Sequence, residues 1–151
     1  MKTKNWKRVI GIAAALVLGG VVAVACSHGG RGKMTPARMK TMVTWKVNDV
    51  LDDIDATSAQ RKVVLDQTYK VLADLEKLHA QSEANHEKLI GELVSSQPRA
   101  EVIHAMVDER TDAFRAFMHR SVDALLVANA ALSIDQREQL AAKVREHMQD
   151  R

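Results

Sequence analysis

The sequence predicts an all-α fold of four helices, one of them much longer than the others. Beyond residue 34 the chain contains one glycine, Gly91, and two prolines, Pro36 and Pro98, so residues that break helices are scarce. The same region is rich in Ala, Leu, Lys, Glu, Gln and Arg, which favour helix. Its apolar residues recur every three or four positions, and no segment shows the alternating pattern of a strand.

The first two helices are delimited by residues that start helices. Thr35 can cap the first helix, with Pro36 at the first helical position, where its missing amide hydrogen costs nothing. The apolar residues of this helix are Met39, Val43, Val47, Val50, Leu51 and Ile54. The second helix is predicted from Thr57 to about Val94, with apolar residues at Val64, Leu65, Val71, Leu72, Leu75, Leu78, Leu89, Ile90 and Leu93.

The third helix is predicted to open at Pro98 and the fourth at Ser133. The third presents Val102, Ile103, Met106, Val107, Phe114, Phe117, Met118, Val122, Leu125 and Leu126. The fourth presents Ile134, Leu140, Ala141, Val144 and Met148. The short turns predict antiparallel neighbours. Because the apolar stripes are narrow and aromatic residues are few, the core of a monomer is predicted to be thin, which favours a partner chain.

Two short stretches repeat one motif at the start of the second and fourth helices. They are Ala56-Thr57-Ser58-Ala59-Gln60-Arg61 and Leu132-Ser133-Ile134-Asp135-Gln136-Arg137. A hydroxyl residue three positions before a glutamine predicts a capping box, in which each side chain bonds the backbone amide of the other residue. Thr57 with Gln60 and Ser133 with Gln136 are therefore predicted caps. They are expected to act independently unless the two helices begin at the same place in the fold.

The paired motifs resemble the Leu-Thr-x-x-Gln repeats of the Spy/CpxP family of periplasmic proteins, which has metal-sensing relatives of the CnrX and ZraP type. Here Ala56 replaces the usual Leu of the first copy, and Ser133 replaces the Thr of the second. The resemblance implies a four-helix hook or cradle that pairs as an antiparallel homodimer. It also implies an envelope-stress protein that binds unfolded proteins without ATP or regulates a membrane stress sensor.

The N-terminus predicts export and a lipid anchor. Four basic residues precede an uncharged run of 17 residues from Val9 to Ala25, which predicts a signal peptide over residues 1–25. Small residues before Cys26, the only cysteine, resemble a lipobox, so Cys26 is the predicted lipidation site in a cell-envelope lipoprotein. Ordinary cleavage after Ala25 is the alternative. Ser27 follows the cysteine instead of Asp, and by resemblance to bacterial lipoproteins this favours the outer membrane.

The remaining chain divides into a tether and one domain. Residues 26–34, with three glycines, are predicted to be a flexible tether carrying the lipid, and residues 35–151 to be the helical Spy/CpxP-like domain. Residues 1–25 hold four of the 22 basic residues and none of the 19 acidic ones, which leaves 18 against 19. This net charge of −1 removes the support for a nucleic-acid partner.

The middle of the second helix loses its apolar stripe and offers candidate metal ligands. His79, Glu83 and His86 project from one side at spacings of four and three. If the helices fold back around Pro98, residue 79 faces residues 117–119, which predicts a site of His79, Glu83 and His119, with Met118 as a soft ligand for Zn, Ni or Cu. The alternative is a solvated face of a long helix, without any metal or other cofactor.

No motif of an enzyme is present. The sequence lacks a Gly-rich phosphate loop, a Gly-x-Ser-x-Gly elbow and a His-Glu-x-x-His pair, so a non-enzyme is predicted. Three functions stay open: the envelope-stress protein described above, a periplasmic heavy-metal sensor or resistance protein, and a structural adaptor. Trp45 lies off the first apolar stripe and is compatible with either an exposed client surface or packing at a rim.

Overall fold

The computed structural model describes residues 35–149 and contains four helices in this region. They are α1 (Pro36–Asp53), α2 (Ser58–Leu93), α3 (Ala100–Ala130) and α4 (Ile134–Gln149). No strand occurs among these residues, so the predicted all-α class is confirmed. None of the described helices has the length and apolarity needed to cross a bilayer. The predicted signal peptide (1–25) and tether (26–34), with Cys26, lie outside the described residues.

The helix ends agree with the sequence predictions except at the start of α3. Thr35 caps α1, its Oγ1 accepting from the amide of Arg38 at 3.3 Å, and Pro36 occupies the first turn. The predicted opening of α3 at Pro98 is wrong by two residues. The reason is that Glu92 accepts a hydrogen bond from the Arg99 backbone amide at 2.8 Å, and the Arg99 carbonyl then starts the helical ladder.

The chain divides into two compact units, and each contains parts of the long helices α2 and α3. The first, called the motif unit, comprises the described residues 35–69 and 124–149. Its buried apolar residues are Val43, Val47, Leu51, Ile54, Val64, Ala124, Ala128 and Leu132. Four of these come from the predicted stripe of α1, so the periodicity located the core of this unit.

The second unit, called the hairpin unit, comprises residues 70–123. Asp74 pairs with Arg120 at 2.8 Å and Glu92 with Arg99 at 2.9 Å, so the two arms run antiparallel from the turn at residues 94–99. Only Leu72 and Phe117 are buried apolar residues in this unit. The predicted thin core is thus most evident here.

Candidate functional site

Both predicted capping boxes form. At the start of α2, Gln60 Oε1 accepts from the Thr57 amide at 2.9 Å, and Thr57 Oγ1 accepts from the Gln60 amide at 3.3 Å. At the start of α4, Gln136 Oε1 accepts from the Ser133 amide at 2.9 Å, and Ser133 Oγ accepts from the Gln136 amide at 3.2 Å. Each box satisfies two amides that a helix start otherwise leaves without partners.

The two glutamines also bond each other, which joins the two boxes. Gln60 Nε2 donates to Gln136 Oε1 at 2.9 Å, and Gln136 Nε2 donates to Gln60 Oε1 at 3.2 Å. Gln60 Nε2 donates further to the Ala131 carbonyl at 3.0 Å, and Gln136 Nε2 to the Ile54 carbonyl at 3.2 Å. Each glutamine therefore caps its own helix and holds the turn that precedes the other helix. Residues 57–60 and 133–136 form one site, called the glutamine pair.

The arginine that ends each motif bonds the end of the preceding helix. Arg61 donates to the Asn48 carbonyl and side chain at 3.3 and 3.0 Å, and to Asp52 Oδ1 at 2.7 Å. Arg137 donates to the carbonyls of Ala130 at 3.4 Å and Leu132 at 3.1 Å. No role was predicted for these arginines, although each recurs four positions after its cap, which was the available signal.

The turn between α1 and the first capping box has the hydrogen bonds of a common C-terminal helix motif. Asp55 has a φ of 52°, in the left-handed region, and its amide donates to the Asp52 carbonyl at 3.1 Å. The Ala56 amide donates to the Leu51 carbonyl at 2.9 Å. Together these bonds make a Schellman motif, which turns the chain from α1 toward Thr57.

A small apolar pocket lies within the motif unit. Its volume is about 50 Å³, and it is lined by Val47, Val50, Leu51, Ile54, Val64, Leu125, Ala128, Asn129, Leu132 and Leu140. Asn129 is the only polar lining residue, and no His, Cys, Asp or Glu lines the pocket. The pocket has room for a few methyl groups and offers no group for chemistry.

The structure brings together only part of the predicted metal site. His79 Nδ1 lies 3.8 Å from Glu83 Oε1, and both side chains are about two-thirds exposed. Within residues 35–149 no group of three His, Cys, Asp or Glu side chains is arranged to hold a metal. The register explains this: because Asp74 pairs with Arg120, residue 79 lies opposite residue 115, and His119 and Met118 lie about one turn away.

More large apolar side chains are exposed than buried. Eleven are exposed in the described residues, and eight of the ten buried hydrophobic residues are larger than alanine. The exposed ones are Trp45, Ile90, Leu93, Val94, Val107, Phe114, Val122, Leu126, Val127, Ile134 and Met148. Periodicity placed most of these in the predicted stripes, but it did not separate a core-facing residue from one that faces outward.

An ion pair between Glu92 and Arg99 stabilises the turn of the hairpin unit. Arg99 donates through Nε to Glu92 Oε1 at 3.0 Å and through Nη2 to Oε2 at 2.9 Å, besides its backbone bond. These bonds to the charged carboxylate lower the pKa of Glu92 to about 2 from its usual 4.5. The side chain of Glu92 is only 11% exposed.

The low pKa of Glu92 predicts a specific pH dependence. A carboxyl group with a depressed folded-state pKa stabilises the fold above its unfolded pKa of 4.5, and this stabilisation is lost as pH falls toward 2. We expect Glu92→Gln to lower the melting temperature at pH 7 and the difference from wild type to shrink between pH 4.5 and pH 2. Glu87→Gln, at an exposed site of α2, is the control. A difference in melting temperature that stays constant between pH 4.5 and pH 2 would contradict the lowered pKa of Glu92.

Fold and motifs together define a helical domain whose paired hydroxyl-x-x-Gln caps meet through their glutamines. The profile of the heavy-metal resistance family matches residues 10–139. The chain belongs to this family, which includes the proteins of Spy/CpxP, CnrX and ZraP type that its motifs resemble. No curated protein and no solved structure is significantly similar to it.

Proposed function

We propose that this protein acts in the cell envelope as a Spy/CpxP-type protein that binds unfolded proteins without ATP. The observation that carries the proposal is the excess of exposed over buried large apolar side chains in residues 35–149. Exposed apolar surface on a soluble domain is typical of sites that bind other chains. Membership of the heavy-metal resistance family is compatible with this function.

The hairpin unit supplies the proposed client surface. Val107, Phe114 and Val122 are exposed on one side of α3 at spacings of seven and eight residues. Charged residues such as Arg110 and Arg115 lie between them and are exposed. Separate apolar contacts within a charged surface favour weak, reversible binding to many sequences over tight binding to one.

Aggregation suppression tests this proposal. The purified protein is expected to slow the aggregation of an unrelated unfolded protein at near-stoichiometric ratio without nucleotide. Val107→Ser, Phe114→Ser and Val122→Ser together are expected to lower this protection several-fold without lowering stability, since exposed substitutions usually change it by only about 0.5 kcal/mol. Ile134→Ser with Met148→Ser, at exposed sites of α4, is the matched control. Protection that survives the α3 triple variant would contradict the proposed surface.

We also propose that the protein forms an antiparallel homodimer. The hairpin unit has only Leu72 and Phe117 as buried apolar residues, so a second copy would add the burial that this unit lacks. Light scattering of the purified protein is expected to give twice the monomer mass of 16.7 kDa, less any cleaved signal. A monomer at micromolar concentration would contradict this assembly.

Anchoring through Cys26 is the proposed route to the membrane, with the outer membrane favoured. The protein is expected to partition into the detergent phase, and Cys26→Ala to prevent lipidation and processing. An unmodified mature chain that begins at residue 26 in the soluble fraction would contradict the anchor.

Metal sensing or resistance is the second candidate. The heavy-metal description of the family and the 3.8 Å approach of His79 to Glu83 favour it. Under this alternative, Zn, Ni or Cu binds with micromolar affinity or better, and His79→Ala abolishes binding while His104→Ala does not. Absence of binding in calorimetric titration would leave the chaperone-type function or a simple adaptor.

A further inference from the structure

The fourth helix contributes little to the core of the motif unit. None of the described side chains of α4 is buried, whereas α1, with 18 residues against 16, has four buried side chains. The apolar residues in the middle of α4 are half-buried, namely Leu140, Ala141 and Val144. Those at its ends, Ile134 and Met148, are each 70% exposed. Elements with few buried apolar contacts are the ones that open locally in folded proteins.

A void lies where α4 contacts the other helices. The apolar pocket of the motif unit is lined by residues of α1, α2, α3 and the turn before α4, and α4 itself contributes one residue, Leu140. Because the pocket still has a volume of about 50 Å³, Leu140 does not fill the space between the helices. Side chains that line a void lack the packing contacts of a filled core. The void therefore weakens the apolar contact of α4 with the rest of the unit.

Polar contacts hold α4 at two points. In its first turn, Gln136 Nε2 donates to the Ile54 carbonyl at 3.2 Å and bonds Gln60 in the glutamine pair. Two turns later, Lys143 Nζ pairs with Asp53 Oδ2 at 2.8 Å, and both side chains are more than one-third exposed. These groups can exchange their partners for water when α4 moves away, and an exposed ion pair contributes little to stability. The contacts thus position α4 without preventing its release.

The surface that α4 covers is apolar with an acidic edge. Besides Leu140, the apolar residues that line the pocket from α1, its C-cap and α3 are Val47, Val50, Leu51, Ile54, Leu125 and Ala128. Asp53 lies at the edge of this surface, where Lys143 reaches it. Leu140 and Lys143 are three positions apart and therefore lie on one side of α4. A segment that takes the place of α4 needs the same pattern, an apolar residue followed one turn later by a basic residue.

We propose that α4 is a releasable cover of this surface. The helix detaches from the motif unit as one piece, and an amphipathic segment of an unfolded client binds the uncovered surface in its place. The released helix keeps its own cap, because the bonds between Ser133 and Gln136 lie within it. The protein then has a second client surface, which is covered until a client is present. This inference rests on the client binding proposed above, but not on the homodimer or on metal binding.

Hydrogen exchange tests the release. Release as one piece predicts that the amides of residues 138–149 share one protection factor, at least tenfold lower than that of residues 43–51 in α1. Lys143→Gln is expected to lower the protection of all these α4 amides by up to about fivefold, the range for loss of an exposed ion pair. Lys62→Gln, which removes the ion pair of Lys62 with Asp66 within α2, is the matched control and should leave α4 unchanged. Protection that falls steadily toward residue 149 would indicate fraying and overturn the proposal.

Cross-linking tests whether client binding needs the release. A carbodiimide joins a paired lysine and aspartate through an amide bond, and Lys143 Nζ lies within 2.8 Å of Asp53 Oδ2. Lys143→Arg keeps the ion pair but cannot be linked, so this variant after the same treatment is the control. We expect the link in the wild type to suppress exchange in α4 and to lower protection of an aggregating client several-fold relative to the treated control. Equal client protection by the two treated proteins would overturn the proposal.

A fluorescent peptide with the sequence of residues 133–149 separates this proposal from the proposed function. The peptide is expected to bind the treated Lys143→Arg variant and not the linked wild type. If neither protein protects a client, the client-binding function is contradicted, and the peptide still decides whether the surface opens. Equal binding of the peptide to both proteins would overturn the release. A link between Asp53 and Lys143 that joins two chains would show that a second copy replaces α4, and would overturn the client as the occupant.

Discussion

Replacing Gln60 or Gln136 by alanine is expected to lower the free energy of unfolding by about 2 kcal/mol for each substitution. Gln60 bonds the Thr57 amide, the Ala131 carbonyl and the partner glutamine, all from one side-chain amide. Its loss leaves part-buried groups without partners and removes one arm of a capping box. The reduction is therefore expected to exceed the value of about 1 kcal/mol that is typical of a single cap.

The double variant distinguishes a joined pair from two separate caps. Each glutamine both donates to and accepts from the other. We therefore expect the double variant to lose less unfolding free energy than the sum of the losses of the two single variants, by about 1 kcal/mol. Urea denaturation of the wild type, both single variants and the double variant measures this coupling. Gln139→Ala, at an exposed site of α4, is the matched control and should be nearly neutral. Strict additivity would mean that the contact between the two amides contributes nothing.

The sequence predicted each capping box, because a box depends only on residues three positions apart. It could not show that the boxes meet, since residues 60 and 136 are separated by 76 positions and their contact depends on the packing of α1, α2 and α4. The expectation that the two caps act independently was conditional on separate helix starts. In the structure the two helices begin next to each other and their glutamines bond, so this condition is not met.

The start of α3 and the metal site illustrate two other limits. Proline at position 98 suggested the first residue of the helix, but Glu92, six positions earlier, bonds the amide of Arg99 and sets the start. The predicted meeting of His79 with His119 needed the register of the hairpin unit. That register follows from the ion pair between Asp74 and Arg120, which local spacing does not reveal.

Burial within the helices was predicted more reliably for α1 than for α3. The apolar residues of α1 lie three or four positions apart on one side, and four of them are buried. In α3 the apolar residues cover a wider arc, and a single periodic pattern therefore contains both buried Phe117 and exposed Phe114. Lys46 was missed altogether, because a lysine at a buried position contradicts the usual preference of charged groups for water.

Replacing Lys46 by methionine is expected to raise the free energy of unfolding by about 2 kcal/mol, since an unsatisfied buried polar group costs about 1–3 kcal/mol. Lys46 is only 4% exposed, and its Nζ has no hydrogen-bond partner in the described residues. Its Nζ lies over the Trp45 ring, 4.5 Å from the ring centre. Methionine keeps most of the apolar volume of the side chain and removes the buried charge.

The pH dependence of this gain tests its cause. Burial lowers the pKa of Lys46 below 10.5, although Asp49 partly opposes the shift. Below the folded-state pKa the charged form is present in both states and the full penalty acts. As pH rises from the folded-state pKa toward 10.5, the folded protein loses the proton first and the penalty disappears. The advantage of Lys46→Met over wild type in urea denaturation should therefore shrink in this range. Lys88→Met, at an exposed site, should show no advantage at any pH. If Lys46→Met is instead destabilising at pH 7, the ammonium contributes more through the Trp45 ring than its burial costs, and Trp45→Leu should then cause a similar loss.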